Sequence, residues 1–276
     1  MRIILYVALA LALLLVFGLA FRAVDWMRDR AAWMRLAATA PTDAGAFDPA
    51  MVADLPEPAR RYFTFSIQPG TPLSPVAEFE MEGELGLGEK ADPRYRPMRA
   101  RQILAPPHGL VWRLNAGPIS GSDGAMPETS WTRFWLFSLV PVVRVAGDRD
   151  HHRSAFGRVV AEAAIWTPAA LLPSDTVTWE GLGPDKARAH MKGPSFEQWV
   201  EITVNAEGAP VEVKIDRWSN ANPEKTYRLQ PFGGTLADHR NFGGFRVPTR
   251  VDGGNHFGTD DYFPFFKAIV TDMRFL

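Results

Sequence analysis

The stretch VAEFEMEGEL, Val76 to Leu85, alternates apolar and acidic side chains. Glu78, Glu80, Glu82 and Glu84 share one side, and Phe79 and Met81 the other, with a one-residue slip between Val76 and Phe79. A repeat of two residues is that of a β-strand with one face in water and one against a core. Downstream, Arg99 to Leu104 and Leu110 to Ala116 flank the turn Pro106-Pro107-His108-Gly109, and Val111 to Asn115 alternates again. That is the pattern of a hairpin.

The same grammar continues to the end of the chain. Val177 to Glu180, Ala187 to Met191, Gln198 to Asn205, Val211 to Trp218, Tyr227 to Pro231, Phe245 to Val251 and Tyr262 to Phe275 are short runs rich in β-branched or aromatic residues. Turn sequences such as Ala206-Glu207-Gly208 and Asp252-Gly253-Gly254-Asn255 separate them, and regular spacing of this kind predicts an antiparallel meander. Only Asp150 to Trp166 reads as a helix within the domain. Phe156, Val159, Val160, Ala163 and Ile165 give it an apolar face, and Pro168 stops it.

One helix cannot cover eight or more strands lying flat, so the sheet is expected to curl around it. The fold class is mainly β (α+β): a curved antiparallel sheet or open half-barrel packed on one helix. Such a sheet encloses a hollow wherever side chains leave it unfilled. Trp131 to Val145, WTRFWLFSLVPVVRV, is the most apolar part of the domain. It is broken by Arg133, Pro141 and Arg144 and is too short to span a bilayer, so it is expected to form a buried or lipid-facing lid.

Upstream, Ile3 to Phe21 holds nineteen residues without a charge or a proline. As a helix it would be roughly 28 Å long, against a hydrocarbon core of roughly 30 Å. An uncleaved anchor is the preferred reading, with cleavage at Gly18-Leu19-Ala20 as the alternative. Val24 to Ala40 carries apolar residues at three- and four-residue steps among arginines, and Pro41 to Pro49 is small and polar. The division is therefore a transmembrane anchor at 1–22, a juxtamembrane helix and linker at 23–46, and a single β-rich domain at 47–276. Arg22, Arg28, Arg30 and Arg35 follow the span, which by the positive-inside rule would hold the domain in the cytoplasm. Long domains translocate largely regardless of charge, and the expectation is a single-pass inner-membrane protein with its domain on the extracytoplasmic side.

Composition narrows the functions. Nine Trp and eighteen Phe suffice for a large core, and a net charge of −1 disfavours nucleic acid. With no cysteine there are no disulfides, thiolate metal sites or cysteine nucleophiles. No metal and no cofactor is expected.

Arg153 to Lys192 carries an arginine, glutamate, tryptophan-proline and leucine-proline-serine pattern, and the chain closes with GGFRVPTRV at Gly243 to Val251 and DYFPFFKAIVTDMRF at Asp261 to Phe275. These stretches resemble a family of uncharacterised bacterial, membrane-anchored β-rich proteins with no assigned activity. In strand count and single packing helix the chain is also similar to the half-barrels that carry lipoproteins or lipids across the periplasm.

Arg158, Glu162 and Trp166 stand four apart and share one helix face. Glu162 is a weak catalytic candidate as a buried general acid or base, and the competing reading is an ion pair with Arg158. Trp112 and Trp179 with Arg217 and Arg250 would give an aromatic pocket with guanidinium groups, suited to an acyl chain with an anionic head. His151-His152 reads as solvated histidines near a helix start, and Asp123 as a turn residue. The expected function is binding or carriage of a membrane lipid or other hydrophobic molecule. The alternatives are a hydrolase acting on a lipid or envelope substrate through Glu162, and a scaffold for an envelope protein partner.

Overall fold

The alternation that opens the domain becomes β1 (Ala77–Gly86), next to the middle strand of a single sheet in a computed structural model that describes residues 1–276. The other strands are β2 (Tyr95–Ala105), β3 (Gly109–Ala116), β4 (Ile119–Met126), β5 (Thr129–Leu136), β6 (Val140–Ala146), β7 (Val177–Gly181), β8 (Lys186–Lys192), β9 (Glu197–Val204), β10 (Pro210–Ser219), β11 (Arg228–Phe242), β12 (Phe245–Asn255) and β13 (Phe263–Phe275). All neighbours pair antiparallel in the order β6-β5-β4-β3-β2-β1-β13-β12-β11-β10-β9-β8-β7. The helices are α1 (Arg2–Ala37), α2 (Glu57–Ser66) and α3 (Arg149–Trp166).

Chain order makes α3 the connection from one edge of the sheet, β6, to the other, β7. It touches both β5 and β9, which lie nine places apart. Laid flat, those strands would be about 43 Å apart, whereas an 18-residue helix is about 27 Å long. The sheet therefore wraps around α3, as the sequence predicts. Buried side chains from Ser154 through Trp166 follow from that position, because a helix enclosed on every side has no solvent face.

Three expectations need correction. Trp131 to Val145 is no lid: it forms β5, a three-residue connection and edge strand β6. Asp252 to Asn255 is not a turn, since β12 runs through it in register with β11. Residues 24–40 do not stand apart from the domain either. Asp25, Asp29, Ala32 and Leu36 of α1 are buried, and the last two pack with Val76, Ile103, Ala105, Val111, Met126 and Trp131 on the outer face of the sheet. Val76 thus faces α1 while Ala77, Phe79 and Met81 face α3, which is the physical origin of the slip in the opening strand.

Polar contacts fix α1 in place. Arg144 grips Asp25 with two parallel hydrogen bonds, Nη1 to Oδ2 at 2.6 Å and Nη2 to Oδ1 at 3.0 Å, and the Trp135 indole donates to Oδ2 at 3.1 Å. Arg133 donates to Asp29 at 3.4 Å. A forked guanidinium on a carboxylate that is 1% exposed is a directional clamp, not a loose surface pair.

Candidate functional site

Inside the curl, α3 does not fill the space completely. A cavity of about 310 Å³ remains between α3 and the inner faces of β1, β3, β4, β5, β10, β11, β12 and β13. Phe232, Leu236, Val251, Phe266, Ile165 and Trp166 form much of its apolar wall, and Asp123, Arg158, Glu162 and Arg217 its polar end. Glycine makes part of the room. Gly253 follows Val251 on the same strand face, and a Cβ placed there would meet nothing closer than 3.8 Å.

At the polar end the i, i+4 spacing on α3 brings Arg158 Nε to 2.6 Å from Glu162 Oε1. Arg158 also donates through Nη1 to Asp123 Oδ2 at 3.1 Å and through Nη2 to Gln102 Oε1 at 3.3 Å, and Gln102 donates back to Glu162 Oε2. Both oxygens of Glu162 are therefore occupied, and the arrangement is the ion pair rather than an idle acid or base. Burial presses the Arg158 proton affinity down, but Glu162 and Asp123 more than offset this and hold it above its ordinary value. The guanidinium also lies 5.1 Å from the ring centroid of Trp112, whose own indole N–H is buried without an acceptor.

Arg217 is different. Its Nε donates to the Ser154 carbonyl at 3.1 Å and its guanidinium lies 4.7 Å from the Phe232 ring centroid, but no carboxylate pairs with it. Burial, reinforced by the neighbouring charge of Arg158, pushes it down to about 10. It is half-buried and borders the cavity. A guanidinium placed this way has donors to spare, with Asp123 and Glu162 near it but not paired to it.

Behind this end lies a relay the sequence did not disclose. Thr132 donates its hydroxyl to Asp123, so it accepts from His151 Nε2 at 3.0 Å, leaving Nδ1 to accept from Ser130 Oγ at 2.6 Å. Burial lowers the His151 pKa, with Asp123 acting against it. The imidazole is half-buried and held by both ring nitrogens rather than freely solvated. Asp123 sits in β4, not in a turn.

Of the residues singled out from sequence, Trp112, Arg158, Glu162, Trp166 and Arg217 line this cavity. Two lie elsewhere. Trp179 packs on Tyr62 and Phe63 of α2 and donates to the Leu171 carbonyl at 2.9 Å. Arg250 points to the outer face of β12 and pairs with Asp238 at 3.0 Å, more than half exposed. Alternation on β12 explains the latter: Val251 and Gly253 face in, so Arg250 faces out. Reasoning from sequence missed Asp123, Gln102, Phe232 and Phe266. The first two are legible only as partners across strands, Asp123 where β4 meets β3 and β5, and Gln102 where β2 meets β3. No three His, Asp or Glu side chains converge as a metal site would require.

A family model described as a family of unknown function (DUF6544) matches residues 45–268. No curated protein matches the chain. Among solved structures, a LolA superfamily protein from Nitrosomonas europaea is similar at 11% identity and a TM-score of 0.44, over 79% of this chain and 92% of that one. A putative outer membrane lipoprotein-sorting protein domain from Vibrio parahaemolyticus is similar at 12% identity and a TM-score of 0.38, over 72% and 85%.

Proposed function

The chain belongs to this family of unknown function, and from its own geometry we propose that it is a membrane-anchored binding domain for a single-chain amphiphile with an anionic head. The observation that carries the reading is Arg217, a guanidinium with no carboxylate paired directly to it, at the polar end of a cavity whose remaining wall is largely apolar. An acyl-type chain against Phe232, Leu236, Val251 and Phe266 would leave water, and a carboxylate or phosphate at Arg217 would take up its free guanidinium donors. Size limits the ligand. A cavity of about 310 Å³ is at the lower end of ligand sites, which favours one chain over a multiply acylated molecule. The Trp112 indole N–H in the same wall is a second donor without a partner. Anchoring rests on α1, whose Arg2–Ala37 span is long and apolar enough to cross a membrane.

Catalysis through Glu162 has less in its favour, because Arg158 and Gln102 already use both carboxylate oxygens. The test is calorimetry on the full chain in phosphatidylcholine nanodiscs, comparing octanoate with octanol after subtraction of empty discs. Octanoate is expected to bind more tightly. Arg217→Met should weaken octanoate by about 10- to 150-fold, the equivalent of a hydrogen bond to a charged group, and leave octanol unchanged. Gly253→Leu should fill the hollow and abolish both. Equal octanoate binding by wild type and Arg217→Met would overturn the reading.

A further inference from the structure

The turn between β5 and β6 presents the chain's most conspicuous apolar surface outside α1. Phe137 is 70% exposed, and Leu139, Val140, Val142 and Val143 are exposed beside it. Leu139 N donates to Leu136 O at 3.1 Å across Phe137 and Ser138, whose φ angles are +50° and +58°. Positive φ at both central residues is the type I′ hairpin turn, which normally takes Asn-Gly. Here a phenylalanine occupies a strained backbone position and holds its ring in solvent, against both conformational and hydrophobic preference.

Its location gives the reason. Gly18 of α1 faces this turn so closely that a Cβ there would lie 3.3 Å from the Leu139 carbonyl oxygen. Gly18 belongs to the uncharged segment Ile3 to Phe21, and it precedes Phe21 by three residues, about 5 Å along the helix. The hairpin tip therefore stands level with the apolar part of the helix. Just beyond it the character changes: Arg22 donates to Ser120 Oγ at 3.3 Å, Arg144 lies 4.3 Å from the Phe21 ring centroid, and half-exposed Trp26 is flanked by Arg30. Arginines with a tryptophan at the end of an apolar helix mark the headgroup layer. Because Asp25 clamps α1 to Arg144 at the base of the hairpin, the relative depth of helix and tip is fixed.

We propose that the β5–β6 hairpin is a second membrane-inserting element, placing Phe137 to Val143 in the outer acyl region of the leaflet that α1 crosses. This rests on the anchored reading above and deepens it. Phe134, three residues before Phe137 on β5, lines the cavity, so the cavity wall begins about 10 Å from the inserted tip. A lipid leaving the leaflet would meet that wall without crossing bulk water.

The chain has no cysteine, so one introduced thiol labels one place. The full chain would carry an environment-sensitive fluorophore at Phe137→Cys, Val140→Cys, Leu14→Cys or Leu229→Cys, in vesicles of phosphatidylcholine and phosphatidylglycerol with or without doxyl-labelled acyl chains. Leu14 reports on the anchor, and Leu229 is an exposed apolar control on β11, in the other half of the sheet from the strands β2, β3 and β4 that α1 packs on. Quenching and a blue shift at 137 and 140 as well as at 14, with neither at 229, is the expected result. Quenching at 14 without quenching at 137 and 140 overturns insertion while the anchor stands. Absence of quenching at 14 removes the anchor and the proposal with it. A blue shift at 137 without lipid quenching assigns the hairpin to a protein contact and likewise overturns insertion.

Discussion

The two halves of the sheet are built to different rules. In the half from β1 to β6, α1 lies on the outer face and α3 on the inner, so β3 and β4 are buried almost end to end. In the half from β7 to β13 only the inner face is covered, and β9 alternates buried with accessible residues along its length. Period two is thus a property of sheets that meet water on one side, and it fades where a second layer arrives. The segment after the apolar helix is accordingly a layer of the domain and not a tether.

If that asymmetry is real, the first half should depend on α1 and the second should not. The largest effect belongs to Asp25. Removing it by Asp25→Ala leaves Arg144 and the Trp135 indole without their acceptor in a site 1% exposed and takes a second carboxylate away from Arg133. Breaking a buried pair costs about 3–5 kcal/mol, and the lower end applies because Arg144 can regain water. Hydrogen exchange should show protection lost in β4, β5 and β6 and unchanged in β8, β9 and β10; an even loss across the sheet would end the comparison. Leu36→Ala is next. Leu36 is 1% exposed against Val111 and its neighbours, and truncation should lower stability by about 2–3 kcal/mol in thermal unfolding, again with exchange changes confined to the first half.

The same difference explains what could be read in the chain. The half-covered strands β7 to β10 were legible within a residue or two because their pattern repeats every second residue. β4, ISGSDGAM, was not, since it has no β-branched run beyond its first residue and is a strand through what flanks it. A Cβ on Gly124 would lie 2.2 Å from the Trp131 ring, so the small residues there are the negative of an aromatic neighbour. β11 escaped past Pro231 for a similar reason, its Gly233-Gly234 reading as a break although it lies opposite Gly254-Gly253 of β12. At the site, the helix spacing of Arg158, Glu162 and Trp166 was visible because it is local. Their partners Asp123 and Gln102 were not, because cross-strand register decides them. Trp179 and Arg250 were assigned to the pocket on residue type alone, and the strand face they occupy points them elsewhere.

The smallest effect separates two half-buried histidines, one for each half. His151 is held among Ser130, Thr132 and Asp123, and His239 on β11 faces the Pro210 carbonyl at 3.0 Å beside Phe65. Burial lowers the pKa of both below the ordinary 6.5. In the unfolded chain each takes up its proton near 6.5, and in the folded chain only at lower pH, so between those values the unfolded state holds more protons. Stability should therefore be unaffected by these groups above 6.5, fall as the pH drops through it, and stop falling below the folded value. His151→Gln should reduce the acid loss at β5 and the start of α3, and His239→Gln that at β10 and β11, with hydrogen exchange across the pH series as the readout. A charged His151 can no longer accept from Ser130 at Nδ1, so its protonation should loosen the wall of the polar end while the His239 side stays closed. If His151→Gln instead removes the acid sensitivity of both halves, the inner layer acts as one unit, and the division of the sheet is confined to its outer face.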